Sequence, residues 1–339
     1  MSTPRASVGR GDGTLVAALE GRGWQSGADI AARLGVSRAA VWKRIERLRE
    51  RGYDIEASAG RGYRLVRASD RLLPEVVLRH WRPVHLAAAS IVHRDAVDST
   101  NRLAAELARG GAPEGTVVIA EQQTAGRGRL GRTWASPANV NLYCSIVLRP
   151  AVPPLEVPRL TLVAGLAVAQ AIAATGEQLA PQIKWPNDVL LDGRKVAGVL
   201  TELEAEAERV RFVIVGIGVN LNAARGDFPR ELARKATSLA LATGERVDRA
   251  AFTGRLLGAL ETAYEVFRTR GFAALRARYE AFHCLPGRRV SIDGRPPTSG
   301  VVRGVDDDGA LLVETKGGEV RRVVAGEVTL RGTYRALRR

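Results

Sequence analysis

Apolar residues follow two rhythms along this chain, and the changes between them mark out its parts. Between Thr14 and Leu48 the spacing is helical. Leu15, Ala18 and Leu19 share one face, as do Ile30, Ala31 and Leu34, and Val41, Ile45 and Leu48 recur at i, i+4 and i+7. Ser26 and Ser37 stand as N-caps before the second and third runs, and Gly35 stops the second. Two short helices joined by the turn Leu34-Gly35-Val36-Ser37 predict a helix-turn-helix. The pattern then turns strand-like. Tyr53 to Ala57, the turn Ala59-Gly60-Arg61 and Gly62 to Leu65 predict a hairpin with a basic tip. Residues 13–66 are therefore expected to form a winged helix-turn-helix, with 67–83 as a linker or boundary helix containing Pro74 and Pro83.

From 84 to 284 strand-like runs alternate with helices. Strands are expected at Gly115–Glu121, Val140–Leu148, Val189–Leu191, Gly198–Leu203 and Val210–Val219, and helices at Asn101–Ala108, Leu160–Ala174 and Arg249–Arg268. Beyond Leu285-Pro286-Gly287 come short alternating strands, Arg289–Ile292, Ser299–Val305, Leu311–Glu314, Val320–Val324 and Val328–Arg331, split by Asp-Gly and Gly-Gly turns. They predict a small β-barrel over 285–335. The fold class is α+β.

The 339 residues carry a net charge of +15, and residues 1–82 hold about +7 of it. An arginine-rich background composition explains part of this, so the charge only supports a case for anionic partners made otherwise. Four basic residues, Arg38, Lys43, Arg44 and Arg47, with Trp42 beside them, line the exposed face of the third helix, and Arg61 tips the wing. That arrangement suits DNA, with phosphates and base edges met from the start of a recognition helix. Cys144 and Cys284 are far apart and lack metal spacing, which excludes a disulfide framework. No uninterrupted apolar run of ~18–20 residues is present to span a bilayer. No signal-peptide core precedes Gly9-Arg10-Gly11-Asp12-Gly13, so the chain reads as cytoplasmic, with no membrane partner.

Chemistry concentrates in six segments. Gly126-Arg127-Gly128-Arg129-Leu130-Gly131-Arg132-Thr133-Trp134 combines backbone freedom with planar cationic forks, which suits a phosphate or carboxylate; Arg/Gly runs also bind nucleic acid. Gln122-Gln123 feeds this loop from a strand. Asp98-Ser99-Thr100-Asn101 precedes a helix, where a simple N-cap is the alternative to a ligand contact. Lys184-Trp185-Pro186-Asn187-Asp188 sits at a strand–turn junction. In Arg194-Lys195-Val196-Ala197-Gly198 the half-buried Lys195 needs either an ion-pair partner or a ligand. Gly216-Ile217-Gly218-Val219-Asn220 ends a strand.

Taken together these segments resemble the biotin–protein ligases, in the bacterial form that doubles as the biotin-operon repressor. The motifs are the GRGRxGRxW loop, DSTN, KWPND, the RK-hydrophobe-AG segment and the GIGxN strand end, and the resemblance spans nearly the whole chain. It implies a central mixed-sheet catalytic domain of the biotin/lipoate ligase type over 84–284 and an SH3-like C-terminal barrel. It also implies two steps: ATP and biotin give biotinyl-5′-AMP, and a lysine of a biotin carboxyl carrier protein then attacks that anhydride. By the resemblance Ser99, Thr100, Asn101 and Gln123 face the ureido head, while Arg127, Gly128 and Arg129 fold over the adenylate as a lid. Lys195 touches the reacting oxygens. Arg132, Lys184, Asn187 and Asn220 serve ATP, and Asp188 is the candidate acceptor of the incoming lysine's proton. The catalytic set is thus Lys195, Arg129 and Asp188, Mg²⁺ is expected with ATP, and no resident metal site is expected. Operator DNA and an adenylate-dependent homodimer are the further partners implied. Leu130 departs from the family, in which some members carry another arginine there. The competing readings are a lipoate–protein ligase and a non-catalytic winged-helix ligand sensor.

Overall fold

The computed structural model describes residues 10–20, 23–50, 52–67, 70–86, 90–206, 209–293 and 297–330. The chain divides into two compact units, Met1–His80 and Trp81–Arg339.

In the first unit, helices α1 (Arg10–Leu19), α2 (Gly27–Leu34) and α3 (Arg38–Glu50) pack through Leu15, Leu19, Ile30, Val41, Ile45 and Leu48, all essentially inaccessible to solvent. The caps are local and follow the sequence. Ser26 Oγ accepts from Asp29 N at 3.1 Å, Ser37 Oγ accepts from Ala40 N at 3.2 Å, and Gly35 closes α2 in the left-handed region with φ 62°. The wing pairs β1 (Asp54–Ser58) with β2 (Gly62–Arg67) antiparallel. Its base is held to the helices by two backbone bonds of 2.8 Å between Gln25 and Tyr63. A side chain at Gly62 would lie 2.0 Å from the Gln25 carbonyl, so only glycine lets these backbones meet. A short helix, α4 (Pro74–Val77), packs on α1 in the same unit, within the expected linker.

The second unit is built on a seven-stranded sheet. Its elements in chain order are β3 (Ile91–Val97), α5 (Thr100–Arg109), β4 (Val117–Gln123), β5 (Leu142–Leu148), α6 (Pro158–Ala173), β6 (Gln182–Lys184), β7 (Asp188–Leu191), β8 (Arg194–Glu206) and β9 (Arg209–Val219). Helices α7 (Leu239–Thr243), α8 (Arg249–Arg270) and α9 (Ala273–Glu280) follow. Strand order is β3-β4-β5-β9-β8-β7-β6, with only the β3–β4 pair parallel. Helix α5 packs Ala104 and Ala108 on Val118, Val147, Phe212 and Ile214. Helix α6 is apolar on nearly every side, as a helix buried between a sheet and a second helix must be. It packs against α8 and β8, and the segment Pro154–Ala173 is long and apolar enough to cross a membrane but is mostly buried here. Strands β3 and β6 and helices α7 and α9 are not expected from sequence.

One charge cluster lies inside this unit. Arg249 opens α8 fully buried and donates to Glu121 Oε2 at 2.9 Å and to the Asn141 carbonyl at 3.1 Å. Glu121 also meets His93 Nε2 at 3.0 Å. Removing either charge would strand the other in the interior, so this pair fixes where α8, β4 and the start of β5 meet.

The C-terminal strands β10 (Arg289–Asp293), β11 (Thr298–Val305), β12 (Leu311–Glu314), β13 (Val320–Val323) and β14 (Glu327–Leu330) form an antiparallel sheet ordered β13-β12-β11-β10-β14. The expected barrel residues 331–335 lie outside the described residues.

Candidate functional site

Two adjoining cavities lie where β4, β8 and β9 meet the Gly126–Trp134 loop, and Gly128, Arg129, Trp134, Asn187 and Lys195 line both. The smaller, about 50 Å³, is walled by Ser99, Thr100, Asn101, Gln123 and the glycine-bearing stretches of β8 and β9. Ser99 has the extended backbone of an N-cap, yet its side chain makes no capping bond. The first amide of α5, that of Thr100, is taken instead by Gln123 Oε1 at 2.9 Å, from a neighbouring strand. Gln123 also accepts from Thr100 Oγ1 at 3.1 Å and donates to Ser136 Oγ at 3.0 Å. Asn101 is held on both ends of its amide: Oδ1 accepts from Ser145 Oγ at 2.6 Å, and Nδ2 donates to Glu202 Oε2 at 2.6 Å. A methyl at Gly216 would sit 2.0 Å from Asn101 Oδ1, which is why that strand position is bare.

The Gly/Arg loop is a hairpin. Gly128 N donates to Arg132 O at 2.7 Å and Trp134 N to Gly126 O at 2.9 Å. Its glycines serve differently from one another. Gly126 is required by closeness, since a Cβ would lie 2.4 Å from the Trp134 carbonyl, and Gly131 by its φ of 72°. Leu130 itself adopts φ 57°, a left-handed conformation costing a branched residue about 1–2 kcal/mol.

Every loop arginine has an internal partner. Arg127 pairs with Glu202 at 3.0 Å; Arg129 donates to Asn187 Oδ1 at 2.9 Å and to Gly326 O at 3.3 Å; Arg132 pairs with Glu327 at 2.6 Å. Burial lowers the Arg129 pKa, while Asp188 and Glu327 pull it back up, and a guanidinium so placed stays charged. Lys195 lies 2.6 Å from Asp188 and over the Trp134 ring at 5.2 Å. Of the two alternatives for Lys195, the ion pair is present, and the cavity still reaches the ammonium. Trp134 rests on Gly198 and Gly218, which face each other across β8 and β9; a Cβ at Gly218 would lie 2.6 Å from the indole. Among the described residues the buried indole Nε1 has no hydrogen-bond partner.

The larger cavity, about 380 Å³, joins Arg129, Arg132, Lys184, Asn187, Asp188 and Asn220 to an apolar wall from Phe228 and Leu232. Asn220 is buried and donates to Thr237 O at 3.0 Å, pinning the 232–237 segment that is also bonded to the Lys195 backbone. Sequence reading missed Ser145, Glu202, Phe228, Leu232, Lys235 and Glu327. None carries a local signal, since Ser145, Glu202 and Glu327 reach the site through the sheet or the C-terminal strands and Phe228, Leu232 and Lys235 come from the irregular segment after β9. In the first unit Arg38, Trp42, Lys43 and Arg47 are exposed and Arg44 is half-buried. Arg61 lies over the Trp24 ring at 4.3 Å and donates to Ser58 Oγ at 3.2 Å.

The Biotin/lipoate A/B protein ligase family model matches residues 94–220, an HTH domain model 14–64 and the Biotin protein ligase C terminal domain model 287–331. Over 307 residues the chain is 42% identical to the Bifunctional ligase/repressor BirA of Bacillus spizizenii, covering 90% of this chain and 93% of that protein. The chain belongs to the bifunctional biotin–protein ligase family. A second member, the Bifunctional ligase/repressor BirA of Escherichia coli, is 33% identical over 318 residues, covering 94% of this chain and 96% of that one. The solved biotin protein ligase from Aquifex aeolicus in complex with biotin and ATP superposes with a TM-score of 0.63 at 32% identity, covering 72% of this chain and 99% of that one. The expected α+β architecture of the family is the one found: an N-terminal helix-turn-helix, a central mixed sheet and a C-terminal β domain.

Proposed function

We propose that the chain joins biotin to ATP as biotinyl-5′-AMP and passes the acyl group to a lysine of a biotin carboxyl carrier protein. The observation that carries this reading is the shared wall of the two cavities, where Lys195, Arg129 and Asn187 border a small polar recess on one side and a larger one on the other. A ureido group is a planar donor–acceptor that suits Ser99, Thr100 and Gln123, with Asn101 holding the wall behind them. The nucleotide then takes the larger cavity, its base against Phe228 and Leu232 and its phosphates toward Arg129, Arg132 and Lys184. The biotin carboxylate attacks the α-phosphate beside Lys195 and Arg129, whose fixed charges meet the negative charge that grows in the transition state. No nucleophilic side chain is needed. In the second step the acceptor lysine loses a proton as it attacks the anhydride, and we take Asp188 as the carboxylate that accepts it.

Among the described residues no cluster of His, Cys, Asp or Glu could cage a metal, and Asp188 and Glu327 are the carboxylates on the cavity wall. That donor set fits Mg²⁺ arriving with ATP and held mainly by phosphates and water, where it neutralises phosphate charge. We also assign operator binding to residues 13–66 through Arg38, Trp42, Lys43, Arg44, Arg47 and Arg61, strengthened when the adenylate favours a homodimer in the cytoplasm. Incubation with ATP and biotin should release pyrophosphate and, with carrier protein, AMP; release with lipoate but not biotin would overturn the assignment. DNA affinity unchanged by biotin plus ATP would remove the repressor part alone.

A further inference from the structure

The small cavity and the loop are joined by an unbroken polar chain. Gln123 holds Thr100, Thr100 Oγ1 meets Ser145 Oγ at 2.8 Å, and Ser145 donates to Asn101. Asn101 donates to one oxygen of Glu202, and the other oxygen of Glu202 pairs with Arg127 at 3.0 Å. Glu202 sits on β8, outside every motif of the sequence, and is the point at which the pocket wall ends and the loop begins. One carboxylate therefore faces both: an amide fixed by the pocket on one side, a loop guanidinium on the other.

We propose that Glu202 is a positioning residue that holds the loop shut over the acyl-adenylate by gripping Arg127, while Asn101 fixes the angle of its carboxylate. The inference rests on the ligase reading above and deepens it. Ser145 has one proton, which its contact with Asn101 uses, so the Thr100 hydroxyl must choose between Ser145 and Gln123. A ligand that takes over the Thr100 or Gln123 contacts resets that choice, while the Ser145–Asn101–Glu202 contacts stay fixed and keep the carboxylate aimed at Arg127. The Arg127–Glu202 pair is itself half-exposed. Its effect belongs in the range of accessible ion pairs, about two- to five-fold in a rate.

The test uses the full-length chain with biotin and ATP, following decay of the bound acyl-adenylate. In Glu202→Gln the side-chain oxygen can still accept from Asn101, but the attraction for Arg127 is lost. The expected result is a two- to five-fold shorter adenylate lifetime with biotin affinity changed by less than two-fold, and an unchanged melting temperature. Arg127→Gln should shorten the lifetime at least as much, and the double variant should be no worse than Arg127→Gln alone. Added salt should shorten the wild-type lifetime and leave that of Glu202→Gln unaffected, a readout that a merely structural role would not move. Additive losses in the double variant, equal losses in biotin and adenylate retention, or identical salt responses would overturn the proposal. If the wild-type chain forms no acyl-adenylate, it is the ligase reading that fails.

Discussion

The recognition helix and the Gly/Arg loop are equally basic in sequence, but the loop arginines, although Arg127 and Arg132 are also exposed, each carry a fixed partner. On α3 the side chains of Arg38 and Lys43 stand exposed. On the loop and beside it each cation is already matched: Arg127 with Glu202, Arg129 with Asn187 and a carbonyl, Arg132 with Glu327, Lys195 with Asp188. Exposed charge suits a long polyanion whose phosphates repeat and whose own counterions are released on binding. Charge with internal partners suits one small anion that must exchange with them, and it keeps the cavity from binding anions of the wrong shape. Net charge alone hides this distinction.

The comparison can be broken where its effect is largest. Lys195→Ala should lower the adenylation rate by about 10²–10³-fold, as removing a transition-state donor does, with unchanged melting. Pyrophosphate release and thermal unfolding measured together decide this, because a large loss of stability would make the lysine an ordinary structural ion pair. Arg129→Gly should shorten retention of the acyl-adenylate by about tenfold, the scale of one charged hydrogen bond, and weaken biotin binding far less. Equal losses would place Arg129 on the wrong ligand. Arg38→Ala and Lys43→Ala should each make the salt dependence of DNA binding shallower by about 0.9 in log–log slope, with ligation untouched. A slope unchanged in both variants would leave α3 without phosphate contacts.

The smallest effect marks internal charge that is not meant to exchange. Burial alone would raise the Glu261 pKa, but bonds from Leu86 N, Trp81 Nε1, Val84 N and His85 N bring it below its ordinary value. A folded-state pKa below the unfolded one adds stability above the unfolded value, and that stability disappears as the pH falls through the folded value. Denaturation at neutral and acidic pH should show a shallower acid loss for Glu261→Gln than for the wild type.

Local chemistry was legible and assembly was not. Ser26, Gly35 and Ser37 could be read as caps because each acts within four residues of itself. Strand β3 escaped because His93, Arg94 and Asp95 interrupt its apolar pattern, and the polarity of His93 is answered by Glu121 from the next strand. Strand β6 has only three residues, too short for a period to show. Arg249 marked a helix start without revealing that it is buried, since an arginine reads the same in sequence whether its partner is water or Glu121. The site motifs named the polar walls of the cavities. Phe228 and Leu232 come from a stretch with no regular pattern, and Glu202 and Glu327 are ordinary strand residues until the sheet and the C-terminal strands bring them to the loop.

The facing pair Gly198 and Gly218 has a mechanical consequence. Together they cut a notch the width of one indole into an otherwise filled sheet face, and its sides are backbone that cannot rotate aside. A cradle made of side chains could yield to several loop positions; a notch made of missing atoms accepts one. The loop is thereby indexed to the sheet at Trp134, and the three arginines that precede that hinge pin inherit their places from two absent methyl groups.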